Sequence, residues 1–157
     1  LHTNGYSFAR KLFFEIGGYN VNDKIPELEK SVGLTLLEPH INYTNHVFSV
    51  LDKGIDVKGI AHITGGGLVE NIPRILPDGC GVELQKVSWP TLPVFDVMRS
   101  IGDVDESEMY RAFNMGIGMI FIVSPDNIGA VTDALKDLTD VYEIGSVVNA
   151  KNKVLLK

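Results

Sequence analysis

The sequence contains a single cysteine, Cys80, and no apolar run near the roughly 18 to 20 residues needed to cross a bilayer. One cysteine cannot form an intrachain disulfide, and a zinc cluster is not expected. Basic residues are also scarce, since 14 Lys and Arg against 20 Asp and Glu give a net charge of −6 and a pI near 5.1. A chain with this excess of negative charge is not expected to present the basic surface that binding to DNA, RNA or an anionic membrane requires. We therefore expect a soluble, cytoplasmic protein with no nucleic-acid and no membrane partner.

The length of 157 residues suits a single domain, and 45% hydrophobic against 22% charged residues support a packed core. The chain opens with Leu1-His2-Thr3-Asn4-Gly5, without Met and without a cleavable apolar segment. We interpret residues 1–157 as one domain of a longer enzyme whose upstream part has been removed. Loss of an initiator Met is the alternative explanation.

The first 55 residues have mainly helical spacing. Phe8, Leu12 and Ile16 recur every four residues, and Ser7 precedes them as the expected N-cap. A second amphipathic helix is predicted to begin at Thr44.

From residue 57 onward, predicted strands and helices alternate with short connections. The predicted strands are 57–64, 81–87, 118–123, 141–148 and 153–156, with a turn at 149–152 and helices at 67–76, 93–101, 105–113 and 125–136. Such alternation favours a layered α/β sandwich, and the β-α-β spacing at 118–148 resembles half of a ferredoxin-like fold.

The strongest local signal for chemistry is Gly65-Gly66-Gly67, between a predicted strand and a predicted helix. Consecutive glycines let the backbone turn sharply and approach a ligand, and their N–H groups can cradle a phosphate. The spacing matches neither the P-loop nor the dinucleotide fingerprint. The pattern therefore fits a phosphate site and a simple tight turn equally well.

Three polar residues flank the glycines. His62 and Thr64 are two apart on the predicted strand, so both are expected on one face, and Asn71 follows in the predicted helix. These residues are candidates for the same site as the glycines. The competing interpretation of His62 is a hydrogen-bonded structural histidine.

Two further segments carry isolated polar residues. Asn114 lies in Phe113-Asn114-Met115-Gly116, where it can contact a ligand or cap a carbonyl. His2, Asn4 and Gly5 precede the first helix and can either orient a polar substrate or cap that helix. No Ser-His-Asp set, acid pair or cysteine nucleophile is found, so the catalytic residues stay unassigned, and no metal ligand is assigned.

Four segments together resemble one enzyme family. LHTNGYSFARKLFFE, LLEP, GIAHITGGGLVENIPRILP and AFNMGIGM, in this order and spacing, closely resemble the C-terminal domain of phosphoribosylformylglycinamidine cyclo-ligases, also called AIR synthetases. The resemblance extends from residue 1 to about 148, and the tail from Asn149 is the least similar part. Thr3 stands where the family more often has Ser, and both residues keep a hydroxyl.

The resemblance implies a three-layer α/β/α domain with a mixed sheet and partial ferredoxin-like topology. It also implies a role in de novo purine synthesis, the ATP-dependent closure of formylglycinamidine ribonucleotide to aminoimidazole ribonucleotide. ATP would phosphorylate the formyl amide oxygen, and the neighbouring nitrogen would attack that carbon and expel phosphate. Such chemistry depends on positioning and on charge neutralisation.

In this family, most ligands of ATP and Mg²⁺ and the homodimer interface belong to an N-terminal domain that packs against the C-terminal one. The resemblance therefore implies that domain, ATP and the phosphorylated ribonucleotide as partners. The expected substrate- or phosphate-binding residues are His2, Asn4, Gly5, His62, Thr64, Gly65, Gly66, Gly67, Asn71 and Asn114.

Three other functions remain open. Formylglycinamidine ribonucleotide synthase is a related enzyme that uses the same fold and ATP. A non-catalytic interaction domain would use the glycines as turns and would not bind phosphorylated ribonucleotides. A nicotinamide-binding domain is a poor match because the G-x-G-x-x-G fingerprint is lacking.

Overall fold

The computed structural model describes residues 1–2, 4–150 and 153–157, which group into two compact units. The first unit comprises the described parts of Leu1–His40, Ile63–Asn71 and Pro90–Gly118, and the second those of Ile41–His62, Ile72–Trp89 and Met119–Lys157. Thr3, whose identity departs from the family pattern, lies outside the described residues.

The regular elements described in the first unit are helices. They are α1 (Tyr6–Arg10), a π-helix (Lys11–Ile16), α2 (Val32–Leu36), α4 (Gly67–Asn71), α5 (Pro93–Gly102) and α6 (Glu106–Ala112). Large side chains are buried in this unit, among them Phe13, Phe95, Phe113 and Met98. This core supports the loops that carry most of the predicted site.

The start of α1 corrects the predicted cap. The helix begins at Tyr6 with Gly5 as N-cap, in the left-handed conformation at φ 66°, and Ser7 lies inside the helix. The prediction that Ser7 caps this helix is therefore wrong. Glycine is suited to this N-cap because a positive φ is strained for residues that carry a Cβ.

The second unit contains all five strands of the described chain and two α-helices. They are α3 (Thr44–Leu51), β1 (Val57–His62), β2 (Cys80–Leu84), β3 (Met119–Val123), α7 (Ile128–Leu135), β4 (Gly145–Asn149) and β5 (Val154–Leu156). Short 3₁₀ turns occur at Ile72–Ile75, Lys86–Ser88 and Pro125–Asn127. The helix predicted over 67–76 is interrupted before Pro73, since α4 ends at Asn71 and a 3₁₀ turn follows.

The strands form two sheets. β1 and β3 pair antiparallel, with Ala61 opposite Ile120. In the other sheet β2 lies between β4, to which it is antiparallel, and β5, to which it is parallel. The α+β class with a mixed sheet is confirmed, although the sheet is divided in two.

Several predicted boundaries move by a few residues. β1 ends at His62 rather than at residue 64, β2 covers Cys80–Leu84 rather than 81–87, and β4 is confined to Gly145–Asn149. The last two strands flank β2 instead of pairing with each other. Part of the turn predicted at 149–152 lies outside the described residues.

The core of the second unit lies between helix and strand. Val131 and Leu135, four apart on α7, pack with Val50 of α3, and Phe121 and Val123 of β3 lie against this cluster. Among the helices that the structure describes, none has the length and apolar character needed to cross a membrane.

Candidate functional site

The glycine loop, Gly65–Gly67, follows β1 in the chain and leads into α4. Gly66 has φ +93° and Gly67 has φ +58°, values that side-chain-bearing residues rarely adopt. Gly65 is exposed, and a Cβ built on it would meet no atom within 4 Å. The loop thus has open space at Gly65 and, at the next two positions, a backbone conformation that glycine adopts without strain but other residues do not.

The side chain of Asn71 holds this loop from within. Asn71 is only 4% exposed, and its Nδ2 donates to the carbonyl oxygens of Thr64 at 3.2 Å, Gly65 at 3.1 Å and Gly67 at 2.8 Å. The amide is therefore occupied by the loop backbone. A buried side-chain amide needs such partners, because an unsatisfied polar group costs about 1–3 kcal/mol.

These hydrogen bonds determine the direction of two peptide groups. The described chain contains no cis peptide bond, and in a trans peptide the C=O and the following N–H point in opposite directions. Since the carbonyls of Thr64 and Gly65 face Asn71, the N–H groups of Gly65 and Gly66 point away from it. Neither N–H donates to a backbone carbonyl within the described residues, whereas Gly67 N–H donates to Thr64 O at 3.0 Å.

A second buried asparagine holds the residues just before the loop. Asn4, 7% exposed, donates from Nδ2 to Ile63 O at 3.4 Å and accepts from the Thr64 hydroxyl at 3.0 Å. Thr64 is therefore bonded through its hydroxyl to Asn4 and through its carbonyl to Asn71. The two asparagines hold consecutive segments of one loop.

Asn114 lies in a different part of the first unit. It is 2% exposed, and its Nδ2 is 3.2 Å from Nδ1 of His2. The His2 ring also stacks on the ring of His40, with centroids 4.8 Å apart and an interplanar angle of 25°. The first segment and Asn114, predicted separately from the sequence, are thus in direct contact through His2.

Gly5 and Gly67 lie where neighbouring atoms leave no room for a side chain. A Cβ on Gly5 would lie 2.5 Å from Cε1 of Phe113, and one on Gly67 would lie 2.0 Å from the carbonyl oxygen of Tyr110. Both contacts lie at the C-terminal end of α6. Any larger residue at either position would displace this part of the first unit.

His62 belongs to the second unit, unlike the other nine predicted site residues. It is the last residue of β1, is exposed, and pairs with Met119 in the β1–β3 register. Its ring centroid is 6.1 Å from that of Tyr43, whose burial raises the pKa of the phenol to about 12. Because β1 ends at His62, the strand alternation expected to relate His62 to Thr64 does not reach Thr64.

The charged groups near the loop include one carboxylate. A Cβ on Gly66 would lie 2.7 Å from Cβ of Glu70, so this side chain packs against the glycine. On α6, hydrogen bonds to Arg111 lower the pKa of Glu108, and the same bonds raise the pKa of Arg111, with a smaller contribution from Glu70.

In the described part of the chain, no three His, Cys, Asp or Glu side chains are arranged to hold a metal ion.

Comparison with known proteins identifies the family. The family described as "AIR synthase related protein, C-terminal domain" matches residues 1–157. The chain belongs to this family. The resemblance found in the motifs is thereby confirmed.

Several curated relatives of this AIR synthase related domain share one name, phosphoribosylformylglycinamidine cyclo-ligase. Phosphoribosylformylglycinamidine cyclo-ligase of Caldanaerobacter subterraneus subsp. tengcongensis is 43% identical over 157 residues, covering 99% of this chain and 46% of the relative. The cyclo-ligase of Geobacillus thermodenitrificans is 44% identical over 149 residues, covering 94% and 43%. The chain thus spans less than half the length of these relatives.

A solved structure supports the fold of this AIR synthase related domain. E. coli HypE, a hydrogenase maturation protein, superposes with a TM-score of 0.58 at 21% identity, over 80% of this chain and 41% of HypE. At this identity the likeness concerns the fold alone.

One residue of the AIR synthase related domain was not predicted to belong near the site. His40 stacks on His2, yet it stands far from His2 in the sequence and has no spacing typical of a metal ligand. Only its position beside Pro39, after α2, sets it apart, and that signal is too weak to predict a ring contact.

Proposed function

We propose that this chain is the C-terminal domain of a phosphoribosylformylglycinamidine cyclo-ligase, which closes formylglycinamidine ribonucleotide to aminoimidazole ribonucleotide with ATP. The proposal is supported by the family match over residues 1–157 and by the name shared by relatives at 43–44% identity. These names do not favour formylglycinamidine ribonucleotide synthase.

The role proposed for this chain is to bind a phosphate group at Gly65 and Gly66. The observation that carries it is the direction of their two N–H groups, which point away from Asn71 and donate to no backbone carbonyl of the described residues. Adjacent N–H donors in a glycine turn form a concave anion site. The phosphate belongs either to the ribonucleotide or to ATP, and both present the same oxygen acceptors.

The remaining predicted residues have supporting roles in this proposal. Thr64 and Asn4 fix the entry to the loop, and His2 with Asn114 forms a polar contact in the same unit. We retain His62 as a candidate ligand because its ring is exposed. No residue is assigned as acid or base.

ATP and Mg²⁺ are part of the proposed reaction. The described residues are suited to binding the phosphate of a nucleotide but not to binding the metal ion. The glycine loop suits a phosphate, whereas the described side chains form no metal-binding group of three. We therefore assign the chain a role toward phosphate oxygens and place most Mg²⁺ ligands in the N-terminal domain. When bound, Mg²⁺ would neutralise phosphate charge during transfer.

The partners follow from the same proposal. We propose that the N-terminal domain of the same enzyme packs against this chain, that the full-length enzyme is a homodimer, and that it works in the cytoplasm. Sedimentation of the full-length enzyme would test the dimer, and a monomer at assay concentrations would contradict it.

The deciding experiment is an NMR titration of the isotope-labelled chain. Aminoimidazole ribonucleotide is added in one series and Mg-ATP in another. Saturable shifts at the amides of Gly65 and Gly66 with the ribonucleotide assign the loop to substrate, and shifts with Mg-ATP assign it to the nucleotide. No shift with either ligand would contradict the proposed phosphate site and would favour an interaction domain.

A further inference from the structure

We propose that Asn71 is a positioning residue, which keeps the N–H groups of Gly65 and Gly66 turned toward the ligand and does not itself bind that ligand. The inference rests on the phosphate site proposed above and deepens it. It changes the role of a residue that the sequence places among the ligand-binding groups.

The first argument is the use of the Asn71 amide. A side-chain NH₂ has two N–H donors, and here three carbonyl oxygens lie within 2.8–3.2 Å of Nδ2. The donors are therefore engaged by the carbonyls of the loop. With the side chain 4% exposed, a phosphate cannot reach this amide without breaking those bonds.

The second argument is the freedom of the loop itself. Glycine adopts positive and negative φ about equally, so a run of three glycines does not determine which way its peptide groups face. A flip of the Gly65–Gly66 peptide would exchange the N–H for the C=O. The ligand would then meet a carbonyl oxygen, which repels phosphate, so something other than the glycines must fix the direction.

The third argument is the chemistry of the fixing group. Only a hydrogen-bond donor can satisfy several carbonyl oxygens at once, whereas a carboxylate is an acceptor and would repel them. Asn71 provides that donor from the last turn of α4, four residues after Gly67. Asn4 restrains only Ile63 and Thr64, so Asn71 is the described side chain that reaches the Gly65 carbonyl.

The experiment replaces Asn71 by an isosteric acceptor. In Asn71→Asp the carboxylate is expected to attract the N–H groups of Gly65 and Gly66, so that these peptides turn inward. Without any ligand, the two amide proton resonances should move downfield relative to the unsubstituted chain. Affinity for inorganic phosphate, followed at the same amides, should fall by about tenfold or more, because charge-assisted hydrogen bonds to the anion are lost.

A matched control makes the same substitution elsewhere. Asn127 also donates from Nδ2 to a backbone carbonyl, that of Asp56 at 3.5 Å, but lies in the second unit. Asn127→Asp should leave the Gly65 and Gly66 resonances and the phosphate affinity unchanged. An Asn71→Asp chain that matches the unsubstituted chain in both measurements would overturn the proposal.

Two further outcomes are distinguishable. If the unsubstituted chain shows no phosphate shifts, the proposed phosphate site fails, while the ligand-free amide shifts still decide whether Asn71 sets the loop direction. If Asn71→Asp does not fold, Asn71→Ser replaces it, since one hydroxyl can satisfy only one carbonyl. Its phosphate affinity should lie below that of the unsubstituted chain, and equal affinity would overturn the proposal.

Discussion

The side-chain amide of Asn114 faces Nδ1 of His2 across 3.2 Å, and this contact determines which ring nitrogen carries the proton. The backbone N–H of Gly116 is 3.4 Å from Oδ1 of Asn114, which turns the Nδ2 end of the amide toward the ring. A side-chain NH₂ only donates, so Nδ1 of His2 accepts. The proton of neutral His2 therefore lies on Nε2.

We predict that Asn114→Asp changes the protonation of His2. A carboxylate at this buried position accepts a hydrogen bond, so the proton should move to Nδ1 or the ring should become doubly protonated. Long-range ¹H–¹⁵N correlation spectra at neutral pH distinguish these forms from the Nε2–H tautomer. The signals of His46, in the second unit, serve as the internal control. An unsubstituted chain with the proton of His2 on Nδ1 would contradict this assignment.

The glycines of the loop should differ sharply in their tolerance of alanine. Gly65→Ala adds a methyl group to open space and should change the free energy of unfolding by less than about 0.5 kcal/mol. Gly67→Ala places Cβ 2.0 Å from the Tyr110 carbonyl at φ +58° and should cost at least about 2 kcal/mol. Urea unfolding of the two variants measures the difference, and equal stabilities would show that Gly67 is not needed for packing.

The middle glycine is predicted to matter for activity. In Gly66→Val the side chain meets Glu70 at a strained φ of +93°, so the turn must rearrange around its N–H groups. In the full-length cyclo-ligase proposed above, we expect this variant to abolish ring-closing activity while the rest of the domain stays folded. Steady-state kinetics of the longer enzyme test this, with circular dichroism as the check on folding. A fully active variant would remove the loop from the mechanism.

Much of the fold was accessible from the sequence because its signals are local. The apolar run 119–123 and the four-residue spacing of Val131 and Leu135 predict a strand and a helix without reference to distant residues. The cap of α1 was missed because the close approach of Phe113, which leaves no room for a Cβ on Gly5, comes from a residue distant in sequence. The order β4-β2-β5 likewise depends on pairing between distant segments.

The candidate site was accessible only in part. The motifs point to Asn4, Thr64 and Asn71, and the structure joins all three by hydrogen bonds. Which end of an amide faces which atom does not follow from sequence spacing, so spacing alone does not separate a binding asparagine from a positioning one. His40 and His2 stack although they lie in two different loops, so no periodic pattern in the sequence predicts this contact.

Tyr43 should make stability depend on alkaline pH. Burial raises the pKa of its phenol from 10.0 to about 12, so the folded chain keeps this proton at a pH where the unfolded chain has lost it. The contribution of Tyr43 to the free energy of unfolding is then fully present below pH 10 and decreases as pH rises toward 12. Urea unfolding at several pH values, compared with Tyr43→Phe, isolates this group. The variant should show a weaker loss of stability in that window, and identical profiles would contradict the assignment.

The 157-residue chain by itself is expected to fold but not to catalyse ring closure. Each unit has its own buried core, whereas the described side chains form no metal-binding group and the chain spans 46% of the Caldanaerobacter relative. Formation of aminoimidazole ribonucleotide from formylglycinamidine ribonucleotide and Mg-ATP is the assay, with that full-length relative as positive control. A cooperative urea transition without turnover is the expected result. ATP-dependent product above the no-enzyme rate would show that this chain, and not an N-terminal domain, carries the essential ATP-binding groups.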